Sequence, residues 1–374
     1  MSTLKDGGQF LIIGVPGPEL DAETRRAIEE IQPGGFILFG RNIKTPSQLR
    51  ALTDELRALV PHEPVITIDQ EGGRVSRLKE IGAEPPSAVQ LRNKVAAGGD
   101  LALIEEHGRL TGKLLRLFGF NLDLCPVLDV SFDDSADNSL KNRTYGRDPE
   151  EVVRCAGAFN RALRGEGILS CGKHFPGYGP AEVDPHHELP LIARTRAQQE
   201  ACEWVPFRRL LPELDSIMIG HLRNLDLDAA GTASSLSKPI VDGILRREWG
   251  YQGIVMTDDM DMGAILNEYG FADAMRLSIE AGNDLILLCH RVAMAREAAE
   301  VLSELPPEVT APARQRLGWL RARMAKEAPP LPFTLDLFRQ LDDGVYRLRE
   351  AVLGVEAAKH RSADDGKRSP VETY

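Results

Sequence analysis

The sequence has few of the features that mark secreted or membrane-spanning proteins. Its five cysteines are odd in number and widely scattered, with no CxxC pair. This pattern disfavours a disulfide or zinc framework and indicates thiols kept reduced in a cytoplasm. No apolar run approaches the roughly 20 residues that a membrane helix needs. Residues 1–8 lack the apolar core of a secretory signal. We therefore expect a cytoplasmic protein with no membrane partner.

Basic residues are also in the minority. The chain of 374 residues has 45 Lys and Arg against 56 Asp and Glu, which gives a formal net charge of −11. A negative net charge of this size disfavours non-specific binding to nucleic acid or to anionic membranes. We expect a monomer that has no nucleic-acid partner and acts on a small, neutral or polar molecule.

Eight short apolar runs are each followed by small or polar residues and then, for most of them, by a stretch with helical period. Continuous apolar strands that alternate with helices are typical of a parallel sheet covered by helices. Eight units over about 290 residues predict one α/β domain with a closed (β/α)8 TIM barrel. A doubly wound open sheet is the alternative. The runs lie at 10–13, 35–39, 65–68, 121–124, 168–171, 216–219, 254–256 and 284–288.

The sequence after the eighth run predicts further helices. It is rich in Ala, Arg and Glu through residue 325, and a last amphipathic stretch covers 335–353. We expect both segments to pack on the barrel, so that residues 1–355 form one domain. Residues 356–374 are predicted to be a disordered tail, because the end of the chain mixes charge, Ser, Gly and Pro without apolar periodicity.

Charged residues follow the third strand, at the barrel end where active sites form. Asp69 leaves the strand, two glycines permit a tight turn, and Arg74 and Arg77 follow. A carboxylate can accept two adjacent sugar hydroxyls while an arginine donates in a fixed fork, so the segment suits hydroxyl recognition. The alternative is an ion pair that ties the loop to the rim of the barrel.

A second polar segment follows the fifth strand. Lys173 and His174 precede a loop that is rich in Gly and Pro and contains an Asp184-x-His186 unit. A histidine beside an aspartate can act as an oriented proton shuttle. One alternative is a surface pair of histidines, His186 and His187. Another is a metal site built from His174, Asp184, His186 and His187. No HExxH-like spacing supports the metal.

A third segment, after the seventh strand, contains Asp258, Asp259 and Asp261. An aspartate that emerges directly from a buried strand is held rigidly, as a nucleophile should be. Acids here could equally favour a helix N-terminus, so Asp258 is predicted to face the cavity and Asp259 or Asp261 to serve the helix. Arg143 follows the fourth strand. We expect structural or rim roles for four further residues after strands, Arg41, Asn42, Asp129 and His221.

Together these segments resemble glycoside hydrolase family 3, and in particular its bacterial β-N-acetylhexosaminidase branch. The resemblance extends from about residue 10 to residue 290 and is carried by several separate motifs in the same order and spacing. The motifs lie at 68–74, 121–130, 173–177, 184–186, 257–259 and 281–284.

The resemblance implies a retaining exo-β-N-acetylglucosaminidase with no cofactor and no metal. Asp258 would be the nucleophile that forms a glycosyl ester, and His186 would be the acid/base, oriented by Asp184. A histidine needs little tuning to transfer protons near neutral pH. The residues that would hold the sugar are Asp69, Arg77, Arg143, Lys173 and His174.

Members of this branch usually release N-acetylglucosamine from muropeptide fragments in cell-wall recycling, and the resemblance implies the same role here. Tyr178 and Pro185 depart from the branch, which usually has His and Ser at these positions. Neither change removes a group from the implied chemistry. A phosphorylase or transglycosylase on the same scaffold is one alternative activity, and a non-catalytic sugar-binding barrel is another.

Overall fold

The computed structural model of the chain describes residues 3–133, 139–179, 181, 185, 187–327 and 329–361. Within this part, parallel strands close into an eight-stranded barrel, which confirms the predicted (β/α)8 fold. Each strand pairs with the next one along the chain, and the last pairs with the first. The strands are β1 (Leu11–Ile13), β2 (Gly35–Leu38), β3 (Val65–Ile68), β4 (Leu122–Asp123), β5 (Leu169–Phe175), β6 (Ser216–Ile219), β7 (Ile254–Asp259) and β8 (Leu285–Leu288).

Two strands run further than their apolar residues predict. β5 continues through Lys173 and His174 to Phe175, and β7 continues through Asp258 to Asp259. The apolar runs end at the first polar side chain, whereas the barrel hydrogen bonds continue up to the mouth. The polar residues of β5 and β7 are therefore held by the sheet and not by flexible loops.

Helices surround the barrel and cover its outer face. Helix α3 begins at Pro46, and Thr45 caps it by accepting a hydrogen bond from the Gln48 amide at 3.2 Å. The helices are α1 (Leu4–Gly8), α2 (Ala22–Ile31), α3 (Pro46–Ala58), α4 (Ala88–Ala96), α5 (Ala102–Leu117), α6 (Pro149–Gly165), α7 (Arg196–Ala201), α8 (Trp204–Leu210), α9 (Gly263–Leu266), α10 (Phe271–Ala281), α11 (Ala295–Ser303), α12 (Pro307–Glu327), α13 (Leu335–Leu353) and α14 (Val355–Ala358), with a π-helix at Pro239–Glu248. Short 3-10 helices lie at Gly40–Asn42, Arg77–Glu80, Leu211–Glu213, Ser234–Leu236 and Val292–Met294.

The C-terminal helices pack on the barrel, as expected. The Phe338 ring of α13 lies 5.6 Å from the ring of Phe118, which follows α5. The boundary predicted at residue 355 stays a prediction, because residues 362–374, most of the predicted tail, lie outside the described part. Within the described part, α14 (Val355–Ala358) extends across that boundary. No helix among the described residues combines the length and the apolar character that a bilayer span requires.

A short antiparallel hairpin that the sequence did not predict follows β3. Its strands are Gln70–Gly72 and Val75–Ser76. Gly72 and Gly73 form its turn with φ values of 97° and 57°, a region that residues with a Cβ rarely adopt. The two glycines therefore let the chain reverse directly above the barrel, and we call this unit the β3 hairpin.

Candidate active site

A cavity opens at the carboxyl ends of the barrel strands. It encloses about 480 Å³ of space outside protein atoms, including its open mouth. Carboxylates and cations line one side, and apolar side chains line the floor. The lining residues include Ile37, Asp69, Leu124, Arg143, Lys173, His174, Tyr178, Pro185, Met218, Asp258, Asp259 and Leu287.

Charged side chains of opposite sign alternate along one wall of the cavity. Lys173 Nζ lies 2.7 Å from Asp69 Oδ1 and 2.7 Å from Glu71 Oε1. Arg143 donates two hydrogen bonds to Glu71, both at 2.8 Å. The four side chains form one network from β3, the β3 hairpin, β5 and the loop after β4. This network, which we call the wall network, gathers three of the five predicted sugar-binding residues.

The partners in the wall network keep each other charged despite burial. Burial alone would raise the pKa of Glu71, but Arg143 and Lys173 outweigh it and hold that pKa well below its ordinary value. Burial would likewise lower the pKa of Lys173, but Asp69 and Glu71 raise it. Fixed charges in a partly enclosed site can bind sugar hydroxyls by charge-assisted hydrogen bonds.

The other two predicted sugar-binding residues differ in position. His174 lines the cavity, whereas Arg77 lies behind Asp69, with its Nη2 atom 3.4 Å from Asp69 Oδ2 and only 2% of its side chain exposed. The Arg77 guanidinium also lies 5.6 Å from the Phe39 ring centre. In the described structure Arg77 therefore contacts the carboxylate that faces the cavity and not the cavity itself.

Asp129 fixes the orientation of His174. Its Oδ2 atom accepts hydrogen bonds from the His174 amide at 3.0 Å and from the His174 Nδ1–H at 2.7 Å. Its Oδ1 atom accepts from the Tyr178 amide at 2.7 Å. Because Nδ1 carries the proton that faces the carboxylate, Nε2 remains for the cavity. Asp129 thus has the structural role that we expected from the sequence.

Asp258 lies opposite the wall network and is half-buried. Its Oδ1 atom accepts a hydrogen bond from the Asp259 amide at 2.9 Å. No described residue donates to its Oδ2 atom. One oxygen is thus held by the backbone at the end of β7, and the other can contact a bound molecule.

The prediction that Asp259 or Asp261 serves the following helix is wrong. Helix α9 begins after Met262, which makes no side-chain cap. Asp259 Oδ1 instead accepts from the amides of Asp261 at 3.0 Å and of Cys289 at 3.1 Å. Asp261 binds the amides of two residues after β8 and pairs with the guanidinium of Arg291 at 2.6 Å. Both acids therefore bind backbone amides that follow the neighbouring strand, β8.

Asp184 and His186 lie outside the described residues. Their described neighbours contact α9, which follows the strand of Asp258. The Ala264 amide donates to the Pro185 carbonyl at 3.2 Å, and Asn267 Nδ2 donates to the His187 carbonyl at 3.0 Å. The roles predicted for Asp184 and His186 stay predictions, as does the metal-site alternative that includes both residues.

Sequence reasoning missed the part that Glu71 plays. This carboxylate is 5% exposed and links two predicted sugar-binding cations. A signal was present, because Glu71 stands between a strand-end acid and a double-glycine turn in the same segment. What the sequence did not reveal is the hairpin that turns Glu71 back over the barrel and towards Arg143.

With this geometry established, comparison with known proteins gives consistent matches. Residues 3–315 match the family described as "Glycosyl hydrolase family 3 N terminal domain". A relative from Tolumonas auensis named β-hexosaminidase is 34% identical over 301 residues, which are 79% of this chain and 87% of that protein. A relative of the same name from Alkalilimnicola ehrlichii is 36% identical over 286 residues, which are 75% and 80% of the two chains.

Solved structures give the same picture. The chain superposes on a glycoside hydrolase family 3 β-N-acetylglucosaminidase from Paenibacillus sp. with a TM-score of 0.85 at 30% identity, which covers 94% of this chain and 69% of the other. The TM-score with NagZ from Neisseria gonorrhoeae, solved in complex with N-trifluoroacetyl-D-glucosamine, is 0.76 at 29% identity. That match covers 91% of this chain and 97% of NagZ.

Proposed function

This chain belongs to glycosyl hydrolase family 3 and is a glycoside hydrolase, and we propose that it is a retaining exo-β-N-acetylglucosaminidase. The observation that carries the proposal is the cavity in which Asp258, at the end of β7, faces the wall network. Relatives that cover most of the chain are named β-hexosaminidase, and the Paenibacillus structure is a β-N-acetylglucosaminidase. We therefore propose terminal β-linked N-acetylglucosamine as the sugar that binds.

Asp258 is the nucleophile in this proposal. Its Oδ2 atom attacks the anomeric carbon of the sugar and forms a glycosyl ester, while the bond from that carbon to the leaving oxygen breaks. The Asp259 amide, 2.9 Å from Oδ1, holds the carboxylate in place. Because β7 fixes this backbone within the sheet, the nucleophile loses little freedom when substrate binds.

His186 is the proposed acid/base and Asp184 its orienting partner. In the first step His186 gives a proton to the leaving oxygen. In the second it takes a proton from the water that attacks the ester, and Asp258 is released. Support comes from the residues on either side of His186 in the chain. Pro185 lines the same cavity as Asp258, and the His187 carbonyl accepts a hydrogen bond from the Asn267 side chain.

The wall network is proposed to bind the sugar hydroxyls. Asp69 accepts from the sugar, while Lys173, Arg143 and His174 donate to it. Arg77 acts through Asp69, which it contacts from behind. The resemblance to the bacterial branch leads us to propose muropeptide fragments as the natural substrates, cell-wall recycling as the process and the cytoplasm as the location.

Trapping of the covalent intermediate tests this function directly. A 5-fluoro derivative of N-acetylglucosamine with a good leaving group should accumulate as an ester, because fluorine slows both steps. We expect intact-mass analysis to find one added sugar and peptide mapping to find it on Asp258. Label on another residue, or no label together with no turnover of a chromogenic β-N-acetylglucosaminide, would refute the proposal.

The nature of the acceptor is tested separately. Turnover of the chromogenic substrate is measured with and without inorganic phosphate, and the products are separated by chromatography. We expect free N-acetylglucosamine in both cases. A sugar 1-phosphate that forms only with phosphate would identify a phosphorylase instead.

A further inference from the structure

Two side chains of α13 hold consecutive residues of the segment that follows the β3 hairpin. Asp342 Oδ1 accepts a hydrogen bond from the Ala83 amide at 2.6 Å. Arg349 Nη1 donates to the Glu84 carboxylate at 2.8 Å and to the Glu84 carbonyl at 3.0 Å. Asp342 and Arg349 are seven residues apart, which is two helical turns, so both project from the same face of α13.

The contact between Arg349 and Glu84 is buried and specific. The two residues are 3% and 2% exposed, respectively. Arg349 also donates from Nε to the Ala358 carbonyl at 3.1 Å and from Nη2 to the His360 carbonyl at 2.5 Å. A buried ion pair contributes little unless its hydrogen bonds are well matched, and here the fork geometry of the guanidinium specifies one position of Glu84.

The segment held by α13 in turn contacts the β3 hairpin. The Gly73 amide donates to the Pro85 carbonyl at 2.9 Å. The Pro86 carbonyl lies so close to Gly72 that a side chain there would overlap with it. On its other side, the segment is joined to Arg77 by the short helix Arg77–Glu80.

The contacts therefore extend from α13 to the cavity. Glu71, one residue before the glycine turn, carries the charge that Lys173 and Arg143 share in the wall network. Arg77, at the other end of the hairpin, contacts Asp69. Glu71 and the glycine turn that contacts the segment at 83–86 thus belong to the same short hairpin, and Asp69 directly precedes that hairpin.

We propose that α13 is a brace for the sugar-binding wall, and that Asp342 and Arg349 are positioning residues which hold the β3 hairpin, and with it Asp69 and Glu71, in place. Helix α13 lies beyond residues 3–315, the part that matches the family domain. The effect on sugar binding rests on the function proposed above, whereas the mechanical link between α13 and the hairpin does not. Two readouts can therefore separate the two claims.

The test uses substitutions in the full chain. Asp342→Ala removes the acceptor of the Ala83 amide, whereas Asp342→Asn retains an oxygen at that place and is the conservative rescue. Arg339→Ala is the matched control, because Arg339 lies on the same helix in an exposed pair with Asp336. Arg349→Met is a second variant that weakens the brace. If it does not fold, the test still rests on the variants of Asp342, which is only half-buried.

The first readout is hydrogen–deuterium exchange of peptides that cover residues 69–77. Loss of the brace should increase the opening of the hairpin, and with it the exchange of the Gly73 amide, by about tenfold in Asp342→Ala. Asp342→Asn and Arg339→Ala should exchange like the wild type. Unchanged exchange of residues 69–77 in Asp342→Ala and in any folded Arg349→Met protein would overturn the proposal.

The second readout is the split between KM and kcat on the chromogenic β-N-acetylglucosaminide. The wall binds the sugar in both the ground state and the transition state, so a displaced wall should raise KM by about fivefold and change kcat less than about twofold. A helix that only adds stability would leave KM unchanged at temperatures where the variant is folded, and that result contradicts the brace. If the wild type has no activity on this substrate, the proposed function fails while the exchange measurement still tests the link.

Discussion

The two ends of the barrel both bury charged residues, but they use them differently. At the amino ends of the strands, Asp284 precedes β8 and pairs with Arg246 at 2.5 Å and Arg316 at 2.7 Å. At the carboxyl ends, the carboxylates of the wall network also pair with cations, yet three members of that network, Asp69, Arg143 and Lys173, line an open cavity. The ion pairs at the amino ends hold helices against the barrel, whereas the wall network at the carboxyl ends leaves charged groups accessible to a ligand.

The comparison teaches that a buried ion pair is not by itself a sign of function. Helix α12 supplies Arg316 to Asp284 and Arg323 to Asp215, which precedes β6. It therefore holds two places at the amino ends of the strands, an end of the molecule that we call the barrel floor. Only the position relative to the strand direction distinguishes these pairs from the wall network. The general observation that barrel enzymes carry their sites at the carboxyl ends therefore has a direct counterpart in this molecule.

The largest expected effect of a single substitution is at the mouth of the barrel. Asp258→Asn retains the size of the side chain and its hydrogen bond from the Asp259 amide but removes the charge that attacks the sugar. We expect kcat to fall by at least about a thousandfold. The free energy of unfolding should change by less than about 1 kcal/mol, because the residue is half-buried and makes no ion pair with any residue that the structure describes.

Two measurements check this prediction, turnover of the chromogenic substrate and urea unfolding. Residual activity above about one tenth of the wild type, after correction for contaminating wild-type protein, would contradict the role of Asp258 as nucleophile.

The opposite outcome is expected at the floor of the barrel. Asp284→Ala leaves two guanidiniums without their buried partner and also removes the acceptor of the Val255 amide. Burial raises the pKa of Asp284 in spite of Arg246 and Arg316, so the intact cluster adds little net stability. Breaking it should still lower the free energy of unfolding by about 3–5 kcal/mol, because unpaired charges remain buried.

For Asp284→Ala, KM and kcat should stay close to those of the wild type at a temperature where the variant is folded. Urea unfolding and initial rates at that temperature give both quantities. A clear increase in KM would mean that the two ends of the barrel are coupled. It would contradict the view that the amino ends serve stability and the carboxyl ends serve ligand binding.

The fold was largely predictable because its signals are local. Each strand is a continuous apolar run and each run is followed by a helix or a turn, so β3 and β6 were predicted with the bounds that the structure has. Helix α13 was also predicted over 335–353, because the apolar residues of this stretch recur with a helical period. Local patterns of this kind need no knowledge of the tertiary structure.

The site was predictable only where a single residue carries the signal. Asp69, Lys173, His174 and Asp258 lie within three residues of the end of an apolar run, and all four line the cavity. The contacts among them could not be predicted, because the bonds from Glu71 to Arg143 and from Asp129 to His174 join residues 72 and 45 positions apart. Such pairs depend on the register of neighbouring strands, which periodicity does not specify.

A smaller effect is expected within the wall network itself. Glu71→Gln keeps an acceptor for one cation but turns an NH2 group towards the other, so Arg143 and Lys173 lose their shared charge. Both cations should shift from the positions that bind the sugar. We expect KM to rise by roughly 10- to 30-fold, with a smaller change in kcat.

Asp215→Asn is the control for Glu71→Gln. It removes a buried, arginine-paired charge at the barrel floor, so it should lower stability while KM stays unchanged. Equal KM values for Glu71→Gln and the wild type would show that the network is structural, like the pairs at the floor.

The smallest expected effect concerns a buried histidine and appears only as the pH falls. His107 of α5 lies under the β3 hairpin, 1% exposed, and neither ring nitrogen has a hydrogen-bond partner in the described part of the chain. Burial lowers the pKa of His107 to about 4. The unfolded chain therefore takes up a proton at this histidine near pH 6.5, before the folded chain does, and stability is lost as the pH falls from about 6.5 to about 4.

His107→Leu removes this titration while filling a similar volume. Between pH 7.5 and pH 5, the wild type should lose about 2 kcal/mol more of its free energy of unfolding than the variant, since the other titrating groups contribute equally to both. Urea unfolding of both proteins across this range measures the difference. Parallel curves would mean that the folded protein accepts the proton on His107. Water would then reach the space beneath the hairpin, unlike the closely paired charges at either end of the barrel.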